Sequence, residues 1–217
     1  MKELYIIGAG GFGREVAWMV ERINSREPVW ELRGFLDDNP EKQGTVEGRH
    51  RVVGNCDFLR QLKVETWVVC AVGASATRKR IINKIEQYGN INVKFATLID
   101  PSVLASSSVV VGAGSIICAG TILTVDITIG KHVIINLDCT VGHDAEIEDF
   151  VTIYPSVNVS GCSVVEQGAE LGTGAQIIQG KRIGKGVILG AGAVAVRDLP
   201  DRCTAVGMPA KAVKYRN

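Results

Sequence analysis

Apolar and polar positions follow two different rules along this chain. Up to about residue 98, short apolar runs alternate with amphipathic segments. Glu3–Ile7 predicts a strand, Gly11–Asn24 a helix with Val16, Val20 and Ile23 on one face, and Leu32–Leu36 a second strand. Trp67–Val72 reads as a buried strand. Ser75–Tyr88 reads as a basic amphipathic helix with Ile81, Ile85 and Tyr88 inward, and Val93–Leu98 as a last strand. The Gly44–Gly54 stretch reads as a loop. This β-α-β order predicts a small Rossmann-like α/β domain over residues 1–98, a parallel-type sheet with covering helices.

From Pro101 the period becomes six. Val111, Ile117, Leu123, Ile129, Ile135, Val141, Ile147, Ile153, Val159, Val165, Leu171, Ile177, Ile183, Leu189 and Ala195 are all aliphatic. With about a third of positions aliphatic, chance gives such a run with probability on the order of 10⁻⁷ per phase, so this is a repeat. Neither 3.6 nor 2 fits the register; six is the hexapeptide period of a parallel β-helix. One hexapeptide is a short strand plus a turn and cannot bury its own side chain. Stacked coils bury a column of aliphatics and pair every backbone edge. Residues 103–198 hold sixteen hexapeptides without interruption, a prism roughly 25 Å tall at three per coil and ~4.8 Å per coil. Residues 99–217 are therefore expected to form the β-helix domain and its cap.

Composition narrows the class. Lys plus Arg is 24 and Asp plus Glu 23, so a general nucleic-acid-binding role is not expected. No run approaches a membrane span and no signal-peptide pattern is present, so no membrane insertion is expected. The six cysteines form no CxxC pair and read as reduced, mostly buried thiols, which places the protein in the cytoplasm.

Gly8-x-Gly10-x-x-Gly13 follows a strand and opens a helix, a place suited to a pyrophosphate. Asp37 lies at the next strand end, where an acid can hold a ribose or base. The motif alone fits an NAD site, a mononucleotide site or a packing turn; a domain ending near residue 98 is too short for both halves of a dinucleotide fold. Of three histidines, His50 is expected at the surface and His132 in a structural role at a turn. His143, beside Asp144, lies two residues past the inward Val141, on a prism edge. An imidazole paired with a carboxylate is a general base of near-neutral pKa; a turn histidine bonded to the neighbouring coil is the plain alternative. Gly161 stands one coil of eighteen residues on, leaving space and a backbone N–H, or is an ordinary turn glycine. Residues 181–217 carry eight basic and two acidic side chains, against one basic and eight acidic over 103–180. That asymmetry suits a phosphate-rich ligand or a solvated end cap.

The hexapeptide array, its closing Val206-Gly207-Met208-Pro209-Ala210-Lys211 and the preceding Ile6-Ile7-Gly8-Ala9-Gly10-Gly11-Phe12-Gly13 resemble, over the whole chain, the bacterial sugar acetyltransferases among the left-handed β-helix acyltransferases. These include UDP-4-amino-sugar N-acetyltransferases and sialic-acid O-acetyltransferases. The resemblance implies left-handed coiling, a homotrimer with shared sites, and acetyl-CoA as co-substrate. It implies His143 as base with Asp144 as its partner, Asn136 on the acceptor sugar, and Gly161 N–H on the thioester oxygen. Thr152, Thr173 and Ala191 match coenzyme contacts, and Gly10, Gly11, Phe12, Asp37, Asp38 and Gly73 match contacts to the nucleotide sugar. Two positions depart from the pattern: Phe12 and Thr152 each stand where some members have histidine. The expected reaction is N-acetylation of a UDP-4-amino-4,6-dideoxy sugar, with O-acetylation of a sialic acid or related sugar as the alternative. A non-catalytic sugar-nucleotide-binding scaffold is the alternative of another class. A metal-dependent hydratase on the same β-helix needs three histidine ligands, and the array has two, so no metal is expected.

Overall fold

The structure, a computed structural model, describes residues 1–216 and divides into two compact units, Met1–Pro101 and Ser102–Asn217. The first contains β1 (Lys2–Ile7), α1 (Gly11–Arg26), β2 (Trp30–Leu36), β3 (Val46–Glu47), β4 (His50–Gly54), β5 (Thr66–Cys70), α2 (Ser75–Glu86) and β6 (Val93–Phe95). The sheet order is β3-β4-β2-β1-β5-β6, parallel except for the β3–β4 hairpin. Leu4, Ile6 and Ile7 of the central β1 are buried because its neighbours on both sides are parallel strands under helices. Val16 and Val20 of α1 are buried as expected, together with Ala17 and Met19, while Ile23 is half-buried.

Two expectations are corrected here. The Gly44–Gly54 segment is not a loop: Val46–Glu47 and His50–Arg51 pair across a two-residue turn at Gly48, and β4 adds to β2 with Val52 opposite Phe35. Only Val52 of this strand is fully buried, so no apolar run announced it. The inward face of α2 is Arg78, Ile82 and Ile85 rather than Ile81 and Tyr88, and the helix ends at Glu86. Arg78 is wholly buried and donates to the Val72 and Gly73 carbonyls at 2.7 and 2.9 Å, which turns the helix by about one position. The division between the two compact units falls at Pro101. The reason is a two-pronged bond from Arg22 of α1 to the buried Asp100 (2.7 and 3.0 Å) and one from Arg26 to the Pro101 carbonyl.

The second unit is a left-handed parallel β-helix of two-residue strands in three columns. One column runs Ile116–Ile117, Ile134–Ile135, Thr152–Ile153, Glu170–Leu171, Ile188–Leu189, each pair eighteen residues from the last. The other two contain Thr140–Val141 and Glu146–Ile147. Every inward position of the six-residue run from Ile117 to Ala195 is at most 2% exposed. From Gly114 to Gly192 every sixth residue has a positive φ, and seven of these are not glycine: Asp126, His132, Asp138, Asp144, Phe150, Ser156 and Cys162. A left-handed backbone costs a non-glycine residue roughly 1–2 kcal/mol. The return is regular: the N–H of six of the seven donates to a carbonyl nineteen residues back, as in His132 to Ala113 and Cys162 to His143, and that of Asp126 to the Ser108 hydroxyl. Cys203–Val206 and Lys211–Tyr215 close the prism as an antiparallel pair.

Neighbouring residues of one strand test this register. Ile147→Ala is expected to cost about 2–5 kcal/mol in urea unfolding because it empties the core column. Glu146→Ala, facing solvent, is expected to stay within about 0.5 kcal/mol. Comparable losses for both would overturn the assigned inward face.

Candidate active site

The corner after Thr140–Val141 exposes His143 and Asp144. Asp144 Oδ2 lies 2.8 Å from His143 Nδ1, so the carboxylate orients the ring through that nitrogen. The opposite nitrogen faces the next coil: a Cβ built on Gly161 would lie 2.6 Å from His143 Nε2. Any side chain at 161 would collide with the imidazole; glycine is what lets the ring lie there. The same hexapeptide position at Lys131 and Lys185 has its N–H capped by a carboxylate, Asp149 at 2.7 Å and Asp201 at 3.2 Å. The Gly161 N–H has no such acceptor among the described residues. One corner thus brings together an exposed, oriented imidazole and an uncapped backbone donor.

Asn136, Thr173 and Ala191 are not at this corner. Asn136 is half-buried at the preceding corner, its Oδ1 accepting from Leu137 N–H at 2.8 Å. Thr173 and Ala191 are exposed on successive coils of that same preceding corner, with Gly192 N–H bonded to the Thr173 carbonyl. Within one chain the Thr140–Val141 strand separates the two groups. Thr152 is 1% exposed, and Ile116 and Ile134, the outward positions below it, are equally covered. Its hydroxyl is not open to a coenzyme here, which corrects that expectation. Arg182, counted among the basic residues of the C-terminal end, is held by Glu166 (2.7 and 2.8 Å) and Asp201 (3.0 Å), and those bonds raise its pKa.

In the first unit the glycine-rich turn lies at the carboxyl end of β1, with Asp37 after β2 and Gly73 after β5. Chain order reverses between β1 and β5, and ligands of open α/β sheets bind at such a reversal. Gly10 and Gly11 are exposed with open space around them, whereas a Cβ on Gly13 would meet the Gly8 carbonyl at 2.0 Å. Gly13 therefore serves packing, and the outer glycines leave the turn accessible. Phe12 is half-buried. Asp37 accepts from Ala9 N–H and Asn39 N–H, both at 2.9 Å, so its carboxylate braces the turn. Asp38 accepts from Cys56 N–H at 2.9 Å and Lys84 Nζ at 3.1 Å. Partial burial pushes the Asp38 carboxyl up, but these two donors together hold it below its ordinary value. Lys84 escaped the sequence reading because its partners are fixed only by the fold.

The other histidines differ in burial. His132 is buried and stacked on Phe150, ring centres 5.2 Å apart. His50 is half-buried: it lies edge-on to Phe35 and lines an open cavity of about 270 Å³ with Arg14, Trp18 and Glu47. Among the cysteines, Cys162 departs from the expected burial and is exposed. Its Sγ is 3.9 Å from His143 Nδ1; the sign available in the sequence was its place one coil above Asp144. No helix among the described residues is long and apolar enough to cross a membrane.

The chain is similar to known proteins over its whole length. Residues 3–85 match the model of the PglD N-terminal domain. The chain is 29% identical over 215 residues to the GDP-perosamine N-acetyltransferase of Escherichia coli O157:H7, covering 96% of this chain and 95% of the relative. It superposes on the acetyltransferase domain of PglB from Neisseria gonorrhoeae, solved with acetyl coenzyme A, with TM-score 0.87 and 34% identity over 98% of this chain and 99% of that one. A variant of perosamine N-acetyltransferase from Caulobacter crescentus, solved with CoA and GDP-perosamine, gives TM-score 0.85 and 30% identity over 99% and 98%. With its two-unit architecture and full-length similarity, the chain belongs to the sugar acetyltransferase family of left-handed β-helix, hexapeptide-repeat acyltransferases and is an acetyl-CoA-dependent acetyltransferase.

Proposed function

We propose that this enzyme N-acetylates the 4-amino group of a nucleotide-linked 4-amino-4,6-dideoxy sugar, with His143 as general base. The observation that carries the reading is the corner where His143, oriented by Asp144 at 2.8 Å, lies against the uncapped N–H of Gly161. The neutral amine attacks the acetyl carbonyl, and the Gly161 N–H donates to the oxygen as it gains charge. The amine's proton passes to His143 Nε2 while Asp144 balances the imidazolium. The C–S bond breaks, coenzyme A leaves as the thiol after taking up a proton, and the amide remains. The first unit holds the nucleotide: Gly10, Gly11, Phe12 and Gly73 line the turn, and Asp37 and Asp38 stand beside it. UDP is the nucleotide implied by the family resemblance; GDP-perosamine is the ligand named for the Caulobacter relative and is the second acceptor to test.

The assembly follows from the two corners. Asn136, Thr173 and Ala191, in sugar and coenzyme contact roles, lie at one corner, and His143, Asp144 and Gly161 at the next. Both groups serve one acetyl transfer only when different copies supply them, which supports a homotrimer with sites between neighbours. Free thiols at all six cysteines fit a cytoplasmic enzyme.

Coenzyme A release from acetyl-CoA with UDP- or GDP-linked 4-amino sugars checks the chemistry. His143→Ala is expected to lower kcat by about 10²–10⁴-fold with an unchanged melting profile. Gly161→Ala, which pushes a methyl into the imidazole, is expected to lower kcat by about 10²–10³-fold. Full turnover by His143→Ala would remove the base from the mechanism. Light scattering is expected to give three times the 23.2 kDa chain mass, and a fully active monomer would overturn the two-corner argument.

A further inference from the structure

Cys162 has no part in the acetyl transfer, yet the fold places its thiol against the catalytic corner. Asp144 and Cys162 occupy the same position of successive coils, and both have the left-handed backbone, φ 57° in each. Their side chains therefore leave the prism side by side. The Cys162 N–H also bonds to the His143 carbonyl at 2.7 Å, which keeps the two coils in register at this point. A nitrogen of His143, a carboxylate oxygen of Asp144 and the Cys162 sulfur all lie within 4.8 Å of one another, and all three residues are exposed. The other five cysteines are buried.

We propose that His143, Asp144 and Cys162 form a binding site for a thiophilic divalent cation of the zinc type, and that occupancy shuts the enzyme off. The donor set is one nitrogen, one carboxylate oxygen and one sulfur, the set that suits tetrahedral zinc with a fourth position open to water. Binding releases one proton to solvent, from the thiol, and moves the ring proton of His143 from Nδ1 to Nε2, so that thiolate, carboxylate and Nδ1 face the cation. Metal on Nδ1 leaves the single ring proton on Nε2. That nitrogen can then no longer accept a proton from the amine, and Asp144 no longer balances an imidazolium. This inhibition rests on the assignment of His143 as base; the binding does not.

The test uses the full-length enzyme titrated with Co²⁺, whose thiolate complex absorbs in the near ultraviolet, and separately with Zn²⁺ in the turnover assay. The parent is expected to develop one equivalent of thiolate-to-cobalt absorption and to lose at least about ten-fold of its activity at saturating Zn²⁺, restored by a chelator. Cys162→Ser is expected to keep parental activity, to lack the absorption band, and to need about 10–100-fold more Zn²⁺ for the same inhibition. Absence of the band in the parent, or its persistence in Cys162→Ser, would overturn the site whatever His143 does in catalysis. A band in the parent without loss of turnover would overturn the inhibition, and a fully active His143→Ala would trace that failure to the base assignment.

Discussion

Stacking of one eighteen-residue coil on the next is the constraint on which the second unit depends. Each coil must bring its aliphatic residue back over the one below, and each corner must turn left-handed so that an N–H reaches the carbonyl nineteen residues back. Seven non-glycine residues adopt that strained conformation because the bond and the buried column outweigh its cost. The same regularity makes vertical neighbours into functional neighbours. His143 meets Gly161, and Asp144 meets Cys162, because eighteen residues is one coil.

The proposed chemistry uses what the stack leaves open. Some corner amides of this kind are occupied by carboxylates of a neighbouring coil: Lys131 by Asp149, Gln167 by Glu148 and Lys185 by Asp201. At Gly161 the neighbour is an imidazole ring face, which accepts nothing from the amide. An uncapped donor beside an oriented imidazole costs stability, and in the proposed mechanism it serves the developing oxyanion. In the first unit the acids after β2 are already engaged with backbone and Lys84. In the proposed reading a nucleotide meets a preformed, braced turn there rather than isolated charges.

The first unit shows where pattern reading fails. The hairpin over 46–54 has a single deeply buried side chain, Val52, and its existence depends on β2 offering a free edge. Arg78 is charged, so a hydrophobic pattern turned α2 the wrong way; inside the fold its guanidinium satisfies two loop carbonyls and becomes part of the core. Asp100 is tied to the first unit through its bond to Arg22, a contact between residues far apart in the chain.

By itself the sequence determined the six-residue register, the change of grammar between the two units, the glycine-rich turn and the pairing of His143 with Gly161, since each follows from a local period or a fixed coil length. Only the tertiary structure decided the burial of Thr152, the occupied carboxylates of Asp37 and Asp38, the separation of Asn136 from His143 by a whole prism side, and the approach of Cys162 to the imidazole. The physical reason is one of range. Periodicity reports which side of a strand faces inward, whereas hydrogen-bond partners and open surface depend on which backbone and side-chain groups arrive from elsewhere in the chain.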